Sequence, residues 1–281
     1  MLRTRILTAI VGIPLLLVVV FSRGGWLFAG AVGLLSVIGV HEFYRGTREL
    51  GARPLAPLGW LACPALALAP LVIDLQIAVL LELPLFLLIV GLIWELFRHE
   101  RAPVRDLGAT ILGVYYVGWL FTYLVHLRLT PGVMVEPRGG WFEVNSLGAR
   151  LVLFAFVTTW ACDTAAYFAG RTFGKHKLAP TISPGKTIEG SVGGLLGSVV
   201  IALLVGGLAG FPMSARLVLG LAVGVFCQLG DLCASAMKRE MGIKDFGAVI
   251  PGHGGVLDRF DSLLFVAPVV SYLSELMGSA W

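Results

Sequence analysis

Charge is what this chain holds least of. Only 14% of its 281 residues are Asp, Glu, Lys or Arg, where a soluble domain carries about a quarter. With 57% hydrophobic residues and a mean hydropathy of +0.89, an ordinary soluble fold is excluded and a membrane protein is left. Cysteine is scarce too. Cys63, Cys162, Cys227 and Cys233 all lie in apolar segments, with no CxxC pair and no Cys/His cluster. That excludes a zinc site or a disulfide framework and leaves small thiols buried in helices. There is no internal repeat, no low-complexity tract and no soluble domain boundary. Nucleotide signatures are missing as well: no GxGxxG occurs, and the GKT at 185–187 has Pro180 where a P-loop needs glycine. A Ser/His/Asp triad has no support beyond the residue types. No small-x-small cleavage site follows the apolar run of MLRTRILTAIVGIPLLLVVVFSRGG, so that run is expected to stay as a first span.

What the chain does have is one apolar stretch after another, each near the roughly 20 residues a helix needs to cross the hydrocarbon core. The segments run Ile6–Ser22, Trp26–Tyr44, Leu55–Ile73, Leu75–Phe97, Leu107–Leu127, Leu151–Ala169, Ser191–Ala209, Leu217–Met237 and Phe260–Met277. They predict an all-α polytopic membrane protein of about nine transmembrane helices. The third is the weakest, because Pro57, Pro64 and Pro70 interrupt it and Asp74 leaves almost no loop before the fourth; a re-entrant pair is the alternative there. With the N-terminus in the cytoplasm, the basic residues divide 16 inside to 5 outside, together the 21 of the chain. That is the asymmetry the positive-inside rule expects. The net charge of +4 thus reports topology, and no nucleic-acid partner is expected. Three regions follow: 1–106 with spans one to four, 107–150 with span five and an external loop, and 151–281 with spans six to nine and two basic loops facing the cytosol. Gly193 with Gly197 and Gly220 with Gly224 are small-xxx-small pairs that let helices approach closely in lipid.

An ionisable residue inside a span costs roughly 2.5–3.5 kcal/mol on insertion scales, which makes it a candidate for function. Asp231 is the clearest case, with Ser235 at i+4 and Lys238 at i+7 forming a polar stripe on one helical face. Asp163 lies deep in span six with Tyr167 at i+4. His41, Glu42 and Glu95 also interrupt apolar runs, but each lies near a cytoplasmic end, where it is expected to snorkel or cap without a catalytic role. The segment GHGGVLDRFD, residues 252–261, brings His253, Gly254, Gly255, Asp258, Arg259 and Asp261 together. Asp231, Asp258 and Asp261, with Asp163 as a further carboxylate, are the expected metal-binding groups. Such oxygens suit Mg²⁺, which takes one or two carboxylates plus substrate phosphates. Lys238, Arg239, Lys244 and Arg259 set opposite charge around it, the composition expected of phosphoryl or nucleotidyl transfer. In the other basic loop, Lys175, Lys177 and Lys186 are candidate phosphate contacts; lipid headgroups are the alternative partner.

The run SAMKREMGIKDFGAVIPGHGGVLDRFD, residues 235–261, resembles the signature of the phosphatidate cytidylyltransferase family along its whole length. The matching positions are Ser235, Lys238, Arg239, Lys244, Asp245, Gly247, Pro251, His253, Gly254, Gly255, Asp258, Arg259 and Asp261. The stretch CDTAAYFAGRTFGKHKLAPTISPGKTIEG resembles the family's upstream block, while the first 150 residues share only the presence of several spans. The resemblance implies a Mg²⁺-dependent reaction of CTP with phosphatidic acid, giving CDP-diacylglycerol and pyrophosphate. It also implies a homodimer in a bacterial plasma membrane, with the active site facing the cytoplasm. By position, Asp231 and Asp258 are its metal-binding carboxylates. The expected catalytic residues are Lys238, Arg239, Lys244, Asp245, His253 and Arg259, and the substrate contacts are Ser235, Lys186, Gly254, Gly255 and Arg171. The competing readings are a CTP-dependent polyprenol kinase and, in a different class, a proton- or ion-coupled transporter built on Asp163 and Asp231.

Overall fold

The computed structural model describes residues 2–131, 141–143, 146–249 and 254–278. Helices dominate, as they must where no water is present to satisfy backbone N–H and C=O groups. They are α1 (Leu2–Phe21), α2 (Trp26–Arg48), α3 (Ala56–Leu68), α4 (Ile73–Leu96), α5 (Pro103–Gly113), α6 (Leu120–Leu129), α7 (Leu147–Phe173), α8 (Ile188–Val205), α9 (Met213–Glu240) and α10 (Leu257–Gly278). A π-helical turn, Val114–Trp119, joins α5 to α6, so the fifth expected segment is one helix with a widened middle. Each expected apolar segment falls on a helix. Among the described residues, six helical stretches are long and apolar enough to cross a membrane: Arg23–Arg48, Pro103–Leu129, Leu147–Phe173, Ile188–Ala209, Met213–Glu240 and Leu257–Met277. The chain is therefore a multi-pass membrane protein. The third segment is short: α3 has 13 residues and ends in a 3-10 turn at Ala69–Leu71, where Pro70 cannot continue an α-helical ladder.

A β-hairpin interrupts the helical plan. Strands β1 (Lys177–Ala179) and β2 (Ser183–Thr187) pair antiparallel inside the first basic loop. Thr187 ends β2 and caps α8, its hydroxyl accepting the Gly190 N–H at 3.1 Å. Glu189, in the first turn of α8, reaches back to accept from the Lys175 and His176 amides at 3.0 and 3.2 Å. Lys177 Nζ donates to the Pro184 carbonyl at 2.7 Å, which closes the hairpin on itself.

The chain forms two compact units, each assembled from distant segments. The first comprises Met1–Leu129, Arg138–Glu143 and Glu240–Arg259. Its core is aromatic: Phe43, Tyr44, Phe121 and Phe246 are fully buried, and the Tyr44 hydroxyl donates to the Thr110 carbonyl at 2.9 Å. Buried Asp106 accepts the Arg53 N–H at 2.9 Å and pairs with Arg98 and Arg105. Buried Arg128 donates to the carbonyls of Val20 and Ser22, both at 2.6 Å.

The second unit comprises Thr130–Pro137, Val144–Arg239 and Phe260–Trp281. Its helices are packed through small residues, as the glycine pairs predict. A Cβ on Gly197 would lie 2.5 Å from the Ala165 Cβ of α7, and one on Gly220 would lie 2.7 Å from the Val199 Cα of α8. With little hydrophobic driving force between helices in lipid, such close backbone approach supplies the dispersion that holds them.

Candidate active site

In the second unit the polar stripe of α9 is present as its spacing predicts. Ser235 Oγ donates to Asp231 Oδ1 at 3.3 Å, and Lys238 is buried on the same helix. Asp231 also has a partner from outside α9: Lys186, carried by β2, places Nζ 2.7 Å from Asp231 Oδ2, with both side chains partly exposed. The hairpin touches α9 a second time where Arg239 Nε donates to the Ile182 carbonyl at 3.1 Å. Asp231 and Arg239 are eight residues apart, about 12 Å along a helix at 1.5 Å per residue, so β1 and β2 lie along the last turns of α9.

Asp261, on α10, lies within electrostatic range of Asp231, Lys238 and Asp163. A missing side chain allows this. A Cβ on Gly230 would sit 2.6 Å from the Asp261 carbonyl oxygen and 3.1 Å from the Phe265 Cβ, so α10 packs directly on the α9 backbone one residue before Asp231. Asp163, on α7, is tied to α9 by the Cys227 thiol, 3.3 Å from Asp163 Oδ1. Further along α7, Arg171 Nη1 donates to the Tyr167 hydroxyl at 2.9 Å. Asp163, Asp231, Asp261, Lys186, Lys238 and Ser235 are thus brought into one neighbourhood.

Residues that sequence reasoning passed over also shape this neighbourhood. Gln228, one turn before Asp231, donates to the Ser191 and Gly224 carbonyls at 3.1 and 2.8 Å, and its own oxygen accepts from the Ser191 hydroxyl. The available signal was a glutamine inside an apolar span. The thiols divide: Cys63, Cys162 and Cys227 are buried as expected, whereas Cys233 is exposed.

In the first unit, Lys244 and Asp245 are exposed on the loop after α9, and Arg259 is exposed in the first turn of α10. His253 and Pro251 lie outside the described residues. Asp258 turns inward. Its Oδ2 accepts the Phe246 and Gly255 N–H groups at 2.9 and 3.1 Å, closing the signature loop on the first turn of α10. The Gly255 amide, expected from sequence to face substrate phosphate, is therefore directed at Asp258. Gly254 has φ +83°, a left-handed turn that favours glycine. Glu42, expected from sequence to snorkel or cap without a catalytic role, is 3% exposed and accepts the Val256 and Leu257 N–H groups, each at 3.0 Å.

Among the described residues, no three His, Cys, Asp or Glu side chains converge as a ready-made metal cage. The donor set nevertheless suits a hard divalent cation. Mg²⁺ keeps several waters and binds through one or two carboxylates plus substrate phosphates, which asks of the protein only what Asp231 and Asp261 offer. The same cation would compete with Lys186 for Asp231.

The chain matches the model of the cytidylyltransferase family over residues 3–277. It is 35% identical to a phosphatidate cytidylyltransferase of Synechocystis sp., over 97% of this chain and 96% of that protein. A phosphatidate cytidylyltransferase of Staphylococcus epidermidis is likewise 35% identical, over 96% of this chain and 98% of its own length. The Staphylococcus saprophyticus protein of the same name is 39% identical over 71% of this chain and 70% of its own.

Proposed function

The chain belongs to the cytidylyltransferase family, and from that premise we propose that it transfers CMP from CTP to phosphatidic acid, releasing pyrophosphate and leaving CDP-diacylglycerol in the membrane. Near-complete coverage of relatives that carry this activity in their names supports the reaction over a polyprenol kinase or an ion-coupled transporter. The observation that carries the site is the Lys186–Asp231 pair beside Ser235, Lys238 and Asp261, where carboxylate and ammonium groups alternate at the end of a membrane helix.

A phosphatidate oxygen forms a bond to the α-phosphorus of CTP while the bond from that phosphorus to the bridging oxygen of the β-phosphate breaks. The electron pair leaves with pyrophosphate. The attacking phosphate is already ionised near neutral pH, so no strong general base is needed, and the task of the protein is positioning and charge neutralisation. Lys186, Lys238 and Arg239 neutralise the triphosphate; a phosphate-binding role for Lys244 and Arg259 rests on the sequence resemblance. Ser235 orients Asp231. Asp231 and Asp261, with Asp163 beside them, would hold Mg²⁺, which when bound would neutralise charge between the two substrates' phosphates. A metal-binding role for Asp258 rests on the sequence resemblance; its first-unit geometry supports a role in holding the loop.

The finer topology belongs to the same proposal. Nine crossings with a cytoplasmic N-terminus, and an active site facing the cytosol where CTP is found, are supported by the 16 to 5 division of basic residues. Bacterial relatives support a plasma-membrane location, and the family resemblance supports a homodimer.

Purified protein given phosphatidate and CTP labelled at the α-phosphate should move label into lipid and release pyrophosphate only with Mg²⁺. Asp231→Asn should lower turnover by more than about a hundredfold. Lipid phosphate with CDP as co-product would contradict the reaction, and brisk Mg²⁺-dependent turnover by Asp231→Asn would contradict the metal assignment.

A further inference from the structure

We propose that Glu42 is a positioning residue of the signature loop: from α2 it fixes the start of α10 and, with Asp258, holds residues 246–249 to residues 254–258. The inference rests on the cytidylyltransferase reading for its kinetic consequence, though not for its geometry.

Four backbone N–H groups converge on two buried carboxylates. Glu42 takes those of Val256 and Leu257 through separate oxygens, while Asp258 takes those of Phe246 and Gly255 through one. The first amides of a helix have no partner inside it and carry its positive end, so an anion fixed there both satisfies and orients them. Asp258 is a local device, within twelve residues of both donors. Glu42 is not: its partners lie 214 and 215 residues away. It therefore ties the loop to the body of the first unit.

Two signature glycines support this reading. The three nearest atoms to a Cβ on Gly247 would all belong to Glu42, and a Cβ on Gly255 would lie 2.6 and 2.7 Å from its two carboxylate oxygens. Neither residue has a positive φ, so backbone conformation does not require glycine at either position. What requires it is the Glu42 head group pressed between them. Phe246, fully buried against Phe43 at 6.4 Å between ring centroids, anchors the same loop one residue before Gly247 and one after Asp245. Lys244 and Asp245 thereby lie beside the held Phe246, and Arg259 beside the held Asp258 in the first turn of α10, and Glu42 acts on the reaction through them without touching substrate.

The test uses full-length protein in detergent or proteoliposomes. Glu42→Gln keeps size but turns an NH₂ toward a backbone N–H. It should lower kcat by roughly ten- to hundredfold with KM for CTP and phosphatidate unchanged, the split expected when groups are misplaced and not lost. Hydrogen exchange at 246–249 and 254–258 should rise at least about tenfold while α7 and α8 keep wild-type protection. Glu42→Asp, which keeps the charge one methylene short, should recover part of kcat. Should Glu42→Gln fail to yield folded protein, Gly247→Ala carries the test, because its methyl displaces the carboxylate without removing it, and the same split is expected. Wild-type kcat with unchanged exchange in either folded variant overturns the proposal, as does loss of protection spread evenly over the chain. If the wild type does not turn over CTP with phosphatidate, the reaction reading fails, and the exchange measurement still decides the clamp.

Discussion

Gly230→Ala adds one methyl group and removes no charge, hydrogen bond or metal ligand, so it tests whether the closeness of α9 and α10 matters to the chemistry. The added Cβ would lie 2.6 Å from the Asp261 carbonyl oxygen, where ordinary contact begins at 3.4 Å. The helices must therefore part by about 0.8 Å at this level, or one must rotate. Overpacking of this kind costs about 1–3 kcal/mol, which a protein of this size should survive as a folded species. A misplacement near 1 Å between catalytic groups can cost on the order of a hundredfold in rate. Asp231 and Asp261 flank the contact, so turnover by Gly230→Ala should fall roughly 10- to 100-fold while the purified protein remains monodisperse. The matched control is Gly108→Ala in α5, where an added Cβ meets nothing within 4 Å; it should leave turnover unchanged and add about 0.5–1 kcal/mol of stability. The assay is pyrophosphate release from CTP and phosphatidate, with thermal unfolding measured in parallel. Wild-type turnover by Gly230→Ala, at any stability, would refute the placement of the carboxylate pair.

Lys186→Met removes the cation paired with Asp231 but keeps the length of the side chain. Turnover should fall at least about tenfold, with the loss in KM for CTP if Lys186 serves the nucleotide, read from initial rates at varied CTP. Thr187→Ala removes the cap that joins the hairpin to α8 and should cost about 1 kcal/mol, seen as a lower midpoint in thermal unfolding. Removing divalent metal with a chelator should abolish turnover and Mg²⁺ should restore it; activity that persists in excess chelator would overturn the metal assignment.

The helical plan was legible because apolar runs of membrane length leave little choice of structure, and the Asp231–Ser235 contact was legible because four residues are one helical turn. The glycine pairs of α8 and α9 told the same story at the level of packing. The hairpin was not legible: strands of three and five residues, Lys-Leu-Ala and Ser-Pro-Gly-Lys-Thr, show no sustained alternation, and what shapes them is Glu189, Thr187 and Lys177 bonding to backbone nearby. The Lys186–Asp231 pair depends on that hairpin and was hidden with it. Glu42 was hidden for a different reason. A carboxylate near the end of a span has an inexpensive local explanation, and only the folded chain shows that its partners are amides on a helix more than two hundred residues away.

That separation also sets a clock. At 5–20 residues per second of synthesis, the amides of Val256 and Leu257 leave the ribosome about 10–40 s after Glu42 does. Through that interval α2 carries an acidic group whose amide partners do not yet exist. The bond closes only when the last described helix arrives. A nascent chain interrupted before α10 thus leaves the acid of α2 without the amides that complete the loop.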